Sequence, residues 1–284
     1  NAEGEITQQW RLNGAITNAD AQDRWMLTTP VSYPADGTAM NTLRKSAANI
    51  RLGEYIADAT AESIARYGLD TPRLVIRLHQ AAGTIGAVGT TGSYATTDYP
   101  EATITLVIGE QESDLVDYVL YDGGIYRCST LLLRGVMNAD WQETITRYPV
   151  LTALGNLASL SRETANGVDT WVITRTEQVA ENNELVTDDE GNQVYDITLM
   201  KNGESADYTA FSAAYNQLMM VTMSGRLPDG WTAADAPHTV WTFTDVDGTV
   251  HTVALTRYDA MHDAVAVDGV ALFYLIQGGF SLGI

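Results

Sequence analysis

The sequence predicts an α+β protein of two tandem similar lobes, residues 1–139 and 140–284, each a mostly antiparallel sheet packed against one or two helices. The first observation behind this prediction is that short segments return later in the chain in the same order. Residues 24–28 return as 170–174, residues 70–76 as 235–241, and residues 122–123 as 268–269. The second observation is that an amphipathic helical pattern precedes alternating, strand-like runs in both halves. A repeated sequence indicates a repeated structural unit.

A hairpin and a helix open the first lobe. Two short alternating runs, which end near Leu12 and Leu27, flank the turn dipeptide Asn13-Gly14 and predict a β-hairpin. Residues 36–38 then offer capping side chains to an amphipathic helix. Its apolar residues recur at spacings of three and four: Met40, Leu43, Ala47 and Ile50. A second short helix is expected at roughly 59–66, ended by Gly68.

Four strands complete the first lobe. Two of them place an apolar residue at every second position: Leu74, Ile76 and Leu78, then Ile104, Leu106 and Ile108. Residues 116–120 and 125–131 predict the other two strands. Asp122-Gly123-Gly124 joins them as a hairpin signal, because both turn positions favour positive φ.

The second lobe repeats this order with two differences in length. Its elements are a strand at Trp171 and Ile173, a helix face at Phe211, Tyr215 and Leu218, and strands near 240–243, 250–255, 265–267 and 270–276. The offset between the copies locates about 22 inserted residues between Thr174 and Tyr208. We expect residues 171–179 to pair there with 194–200 in a long hairpin. The first lobe carries about 19 extra residues that include 81–100, a Gly-, Thr- and Ser-rich stretch typical of a mobile loop or hairpin.

Charge and hydropathy exclude several classes of partner. The chain has 36 acidic and 16 basic side chains, a formal net charge of −20, which repels nucleic-acid phosphates. No apolar run approaches the roughly 18 residues of a membrane-spanning helix. The sequence starts without methionine, and we expect that an amino-terminal targeting segment has been removed. The single cysteine, Cys128, lies in a strand pattern and is expected to be buried.

Catalytic, cofactor and metal motifs are not found in the sequence. Hydrolase, zinc-protease and nucleotide-binding motifs are missing, so we predict no catalytic residues, no cofactor and no metal. His251 and His262 fall on one predicted hairpin beside Asp263, the minimum for a weak surface metal site, but solvated histidines are the favoured interpretation. Residues 245–248 contain part of a calcium loop, and we interpret Asp247-Gly248 as a tight hairpin turn.

Three aromatic residues are the candidate binding residues. Tyr94, Tyr99 and Trp231 lie in loop-like segments, where a role in the core is harder to assign. Aromatic side chains in loops form contact surfaces for proteins or sugars, and local packing is the alternative explanation.

One segment resembles a known family. Residues 67–72, Tyr-Gly-Leu-Asp-Thr-Pro, stand between an amphipathic helix and an alternating strand, and Trp25-x-Leu27 is followed by Pro30. This arrangement resembles the bacterial domain-of-unknown-function family 4340, and the resemblance covers most of the first lobe. The second lobe keeps only Asp235 and Pro237 of the motif. The resemblance implies an envelope protein held by an amino-terminal membrane segment and encoded beside transport ATPase components, with no catalytic residue to carry over.

Three hypotheses of function follow. The first is a non-enzymatic, extracytoplasmic binding or scaffolding protein, membrane-anchored in its precursor, with an envelope or transporter protein as its partner. The second is a glycan-acting hydrolase that uses a carboxylate pair between the lobes. The third is a receptor for a small ligand, with residues 81–100 as its lid.

Overall fold

The computed structural model describes residues 6–12, 25–88, 94–180, 185–188, 191 and 193–283. The chain divides into two compact units, Asn1–Ile145 and Thr146–Ile284. Antiparallel sheets predominate in both units and helices are few, which is consistent with an α+β or mostly-β fold. Within the described ranges, every helix is too short or too polar to cross a membrane.

Unit 1 contains three sheets and four helices among its described residues. A three-stranded sheet has the order β1-β2-β3, a five-stranded sheet β4-β10-β9-β8-β5, and a hairpin β6-β7. The elements are β1 (Gln9–Leu12), β2 (Trp25–Thr29), β3 (Tyr33–Pro34), α1 (Gly37–Ala48), β4 (Leu52–Asp58), α2 (Ala61–Arg66), β5 (Leu74–Gln80), β6 (Gly83–Val88), β7 (Tyr94–Tyr99), β8 (Ala102–Ser113), β9 (Val116–Tyr121), β10 (Gly124–Ser129), α3 (Thr130–Met137) and α4 (Trp141–Thr144).

The core of unit 1 lies on one face of the five-stranded sheet. It is formed by alternate strand residues and one helical leucine: Ile76, Leu106, Ile108, Val119, Cys128 and Leu133. Cys128 is buried, which confirms the prediction, and burial raises the pKa of its thiol, with the nearby Asp117 charge raising it further. The alternation of β5 and β8 was therefore a correct indication of the buried face.

The family-like segment packs closely against β8. The carbonyl oxygen of Tyr67 accepts a hydrogen bond of 2.9 Å from the backbone N–H of Glu110. A Cβ atom on Gly109 would lie 2.3 Å from that same carbonyl oxygen, so only glycine fits there. Gly68 has a φ of 64°, the left-handed conformation predicted for the end of α2.

Two elements of unit 1 differ from the sequence prediction. The predicted strand over 125–131 ends at Ser129, and the following residues form α3. A short apolar run such as residues 131–133 suits a strand or a buried helix equally, and packing of Leu133 into the core decides for the helix. β4 was not predicted, because its burial follows no regular alternation. The turn predicted at Asn13-Gly14 lies outside the described residues.

Unit 2 is built on one nine-stranded sheet with the order β14-β13-β12-β11-β16-β17-β18-β19-β15. Its elements are β11 (Leu157–Thr164), β12 (Gly167–Glu177), β13 (Tyr195–Lys201), β14 (Glu204–Ala206), α5 (Tyr208–Met219), β15 (Gly225–Arg226), β16 (Thr239–Asp245), β17 (Val250–Arg257), β18 (His262–Val267) and β19 (Val270–Ile276). The long hairpin predicted for the insertion is confirmed as β12 and β13, which pair from Trp171↔Lys201 to Glu177↔Tyr195.

Aromatic side chains form the core between α5 and this sheet. Trp171, Trp241 and Phe243 from the sheet are each 1% exposed, and Phe211 and Tyr215 from α5 are fully buried. The helix begins at Asp207, whose carboxylate accepts hydrogen bonds from the N–H groups of residues 209 and 210. The predicted helix face is thus confirmed.

Two of the three repeated segments have different outcomes at the structural level. Asp122-Gly123 and Asp268-Gly269 both have positive φ at both positions, 45° and 76° in the first pair, 48° and 82° in the second. The repeated segments that contain Trp25 and Trp171 have no such structural match. Trp171 lies inside the nine-stranded sheet, whereas Trp25 is half-buried in the separate three-stranded sheet of unit 1.

Candidate functional site

The predicted aromatic residues lie in two different units. Tyr94 and Tyr99 are the ends of β7 in unit 1, and the side chain of Tyr94 lies outside the described part of the structure. Tyr99 is half-buried, and its ring lies against Gly83 on the paired strand β6, where a Cβ atom would be 2.9 Å from the Tyr99 hydroxyl. Trp231 belongs to unit 2 and follows a turn in which its N–H donates to Pro228.

Trp231 is the first ring of an aromatic row on unit 2. Its ring meets Tyr258 edge-to-face at 6.0 Å, and Tyr258 stacks on Tyr274 at 5.3 Å with an interplanar angle of 20°. The row ends at His262, whose ring lies 4.9 Å from that of Tyr274. Tyr274 in turn covers the backbone of Gly225 in the edge strand β15. Trp231 is therefore held by neighbouring rings, which favours local packing over a free contact residue.

All four histidines are engaged with carboxylates. Their ring nitrogens lie within 4 Å of carboxylate oxygens in the pairs His79–Glu101, His238–Asp263, His251–Asp268 and His262–Asp259. The register of β17 and β18 pairs Arg257 with Asp263, so seven residues of strand, about 23 Å, separate His251 from the position opposite His262. The weak metal site considered for His251 and His262 is therefore wrong. Within the described ranges, no three His, Cys, Asp or Glu side chains are grouped to hold a metal ion.

The calcium-like segment is a hairpin turn, as predicted. Gly248 has a φ of 87°, and its N–H donates to the Asp245 carbonyl. The Asp247 carboxylate accepts a hydrogen bond from the N–H of Thr249, and this bond lowers the pKa of Asp247. The carboxylate is thereby used to close the β16–β17 connection.

One arginine joins two carboxylates on the surface of unit 1. Arg127 forms ion pairs with Glu54 and Glu112, and hydrogen bonds from Arg127 lower the pKa of Glu112. A glycosidase needs one carboxyl group with a raised pKa as its general acid. The pKa of Glu112 is shifted in the opposite direction, so Glu112 is not suited to act as such a general acid.

A second cluster in unit 2 combines charged side chains with buried indoles, and we call it the indole cluster: Arg162, Asp169, Trp171, Lys201 and Trp241. The two indole rings are nearly parallel, 13° between planes and 6.4 Å between centroids. The Lys201 ammonium lies 5.2 Å from the Trp171 ring centroid, and the Arg162 guanidinium 5.6 Å from that of Trp241. These distances are within the range of cation–π attraction.

Strand register assembles the indole cluster. Arg162 on β11 is opposite Asp169 on one side and Trp241 on the other, and Trp171 on β12 is opposite Lys201. Arg162 forms an ion pair with Asp169, whose other oxygen accepts a 3.2 Å hydrogen bond from the Asn202 amide. Sequence reasoning missed the cluster because its five members come from four strands spread over about 80 residues.

A surface recess of about 460 Å³ adjoins this cluster at the β11–β12 turn. Its lining is mostly polar and includes two cluster members: Arg162, Thr164, Asn166, Gly167, Val168 and Asp169. The recess is open to solvent on one side. The recess therefore presents fixed polar groups to solvent, while the two indole rings of the cluster are buried.

Asp169 makes the stability of unit 2 dependent on pH. The hydrogen bonds from Arg162, and then from Asn202, lower the pKa of Asp169. Ionised Asp169 therefore stabilises the folded state above the unfolded pKa of about 3.9, and this contribution is lost as the pH falls through the lower folded pKa. We expect Asp169→Asn to cost about 1 kcal/mol near neutral pH, since the side chain is 30% exposed.

Urea unfolding between pH 2 and 7 measures this dependence. The difference in free energy of unfolding between wild type and Asp169→Asn is expected to shrink below about pH 4. Glu163→Gln, at an exposed neighbouring position of β11, is the matched control. A difference that stays constant down to pH 2 would contradict the role assigned to Asp169.

The chain is thus an acidic protein of antiparallel sheets, and its second unit contains the indole cluster. Residues 25–239 match the family model described as Domain of unknown function (DUF4340), so the chain belongs to this family and the predicted resemblance is confirmed. The match runs from β2 to the first residue of β16 and therefore includes parts of both units. Neither the curated proteins nor the solved structures contain a match to the chain.

Proposed function

We propose that this protein is a non-enzymatic, extracytoplasmic binding or scaffolding protein, membrane-anchored in its precursor, whose partner is an envelope or transporter protein. The observation that supports the proposal is the hairpin of β12 and β13. β12 pairs with β11 only as far as Val172↔Ser159, while its pairing with β13 continues to Glu177. Over residues 174–177 the hairpin continues as a two-stranded arm, and at its distal end residues 185–187 form bridges to Val179 and Gln193.

The arm exposes apolar side chains. Val179, Leu185, Tyr195 and Ile197 are 54%, 51%, 40% and 37% exposed, respectively. A two-stranded ribbon in water gains little stability from exposed apolar side chains. Contiguous exposed apolar surface is typical of interaction sites. The guanidinium of Arg175 fixes the base of the arm by donating to the carbonyls of Leu157 and Leu154 at 2.8 Å.

Charge defines the kind of partner that suits the arm. Residues 176–200 include seven acidic side chains and no basic one. A partner surface that combines apolar and basic side chains is complementary to this segment, and opposite charge accelerates association. We therefore expect the envelope partner to bind the arm through a basic, apolar patch.

Site-specific photo-crosslinking in the native cell tests this proposal. A photoreactive phenylalanine analogue replaces Tyr195 on the arm or, as matched control, Tyr55 on β4, a tyrosine of similar exposure in unit 1. We expect the Tyr195 position to give a discrete adduct with an envelope or transporter protein and the Tyr55 position to give none. Equal adducts at both positions, or adducts with cytoplasmic proteins alone, would refute the assignment of the arm.

Protease accessibility tests the location separately. Protease added to spheroplasts is expected to digest the protein while a cytoplasmic marker stays intact. If both survive until the cells are lysed, the extracytoplasmic proposal fails whatever the crosslinks show.

We also propose that the two units contain copies of one substructure, which is the part of the predicted duplication that strand order supports. Five strands that follow one helix have the order β4-β10-β9-β8-β5 after α1 in unit 1 and β15-β19-β18-β17-β16 after α5 in unit 2. In unit 1, α2 and the β6-β7 hairpin are additional elements between these strands. In each case the strand after the helix pairs with the last strand of the unit. Superposition of these segments in an experimental structure tests the proposal, and a failure to superpose would remove it.

A further inference from the structure

The indole cluster contains three buried donors that have no acceptor among the described residues. They are the Nε1 atoms of Trp171 and Trp241 and the Nε atom of Arg162. Indole and guanidinium nitrogens are donors only, and a buried donor without an acceptor destabilises the folded state. The three atoms come from the neighbouring strands β11, β12 and β16, and each of them is left without a hydrogen-bond acceptor among the described residues.

The charges of the cluster favour an anion. Its carboxylate, Asp169, is already bonded by Arg162 and Asn202, so it is not available to a cation. Within the cluster, Arg162 and Lys201 carry two positive charges and Asp169 one negative charge, and Glu204 of the neighbouring strand is opposite Lys201. Unit 2 has six basic residues in all, and two of them are within this cluster.

The negative net charge of the whole chain disfavours a ligand with several negative charges. A formal net charge of −20 repels polyanions such as nucleotides more strongly than it repels an anion with a single negative charge. The recess reaches the cluster at Arg162 and Asp169, the two cluster members that line it. The hydroxyl and amide side chains of Thr164 and Asn166 lie on its wall.

We propose that the indole cluster and its recess bind a small monoanionic carboxylate ligand, with Lys201 and Arg162 as the charged donors. This site is independent of the arm and of the envelope partner proposed above. Lys201 is the best residue to test, since its ammonium lies over the face of Trp171 and its loss leaves the Arg162–Asp169 pair intact.

Titration of the ¹⁵N-labelled full-length chain with sodium acetate, followed by NMR of the indole N–H signals at constant ionic strength, tests the proposal. Trp171→Phe and Trp241→Phe assign the two signals. We expect both signals to shift saturably in wild type, and Lys201→Met to weaken the apparent affinity about tenfold. Lys45→Met, the same change at the other lysine of the chain, is the matched control and should leave the affinity unchanged.

The other outcomes overturn the proposal in distinguishable ways. Signals that do not saturate, or that respond equally in both lysine variants, exclude a site at the cluster. Tighter saturation by inorganic phosphate than by acetate excludes the monoanion preference.

Thermal unfolding is the control for folding. If the unfolding midpoint of Lys201→Met equals that of wild type, a loss of affinity in this variant is not caused by a loss of folding.

Discussion

Replacing Phe211 with alanine is expected to lower the free energy of unfolding of unit 2 by about 3–5 kcal/mol. Phe211 is fully buried on α5, 6.4 Å from the Trp171 ring and 5.8 Å from the Tyr215 ring. Truncation removes the contact between Phe211 and Trp171 of the sheet and leaves a cavity beside the Trp171 and Tyr215 rings. Such a loss is a large fraction of the 5–15 kcal/mol that stabilises a typical domain.

Urea unfolding followed by far-UV circular dichroism and tryptophan fluorescence measures this effect. Met220→Ala is the matched control, because Met220 ends the same helix and is 74% exposed. Its expected change is within about 0.5 kcal/mol. Equal losses in the two variants would show that α5 does not depend on its buried face.

Replacing Arg73 with methionine is expected to lower the free energy of unfolding of unit 1 by about 3 kcal/mol. Arg73 forms an ion pair with Asp117, whose side chain is fully buried, and its Nε donates to the Gly109 carbonyl at 2.7 Å. The substitution leaves a carboxylate in the core without its counter-charge. The value is at the lower end of the range for buried pairs because Arg73 is 37% exposed.

Two further variants make this prediction specific to the pair. Arg77 is an exposed residue of β5, the strand that follows Arg73, and Arg77→Met should change stability by less than about 0.5 kcal/mol. The double variant Arg73→Met/Asp117→Leu should be more stable than Arg73→Met alone, since it removes the buried charge together with its partner. A double variant less stable than the single one would show that Asp117 stabilises the fold without Arg73.

Local patterns in the sequence predicted most of the regular structure. The alternation of Leu74, Ile76 and Leu78, the helix face of Phe211 and the Asp-Gly turns depend on neighbours within a few residues. The α3 helix was missed because the apolar residues 131–133 fit either a strand or a helix. Their conformation depends on the site in the core that Leu133 fills.

The candidate site was less predictable than the fold. Trp231 was identified as an unusual aromatic, but only the fold placed Tyr258 and Tyr274 beside it. None of the five members of the indole cluster was singled out for binding from the sequence. Their proximity follows from the pairing of β11 with β12 and β16, which no local pattern specifies.

The sequence by itself determined the antiparallel character, the family, the two Asp-Gly turns and the long β12–β13 hairpin. These features depend on short-range periodicity, on turn residues and on a motif at residues 67–72. The tertiary structure alone decided which charged side chains meet the buried indoles, how far the arm extends beyond the sheet, and that the two echoed tryptophans have different surroundings. Such features depend on contacts between residues far apart in the chain, which arise only when strand order and register are fixed.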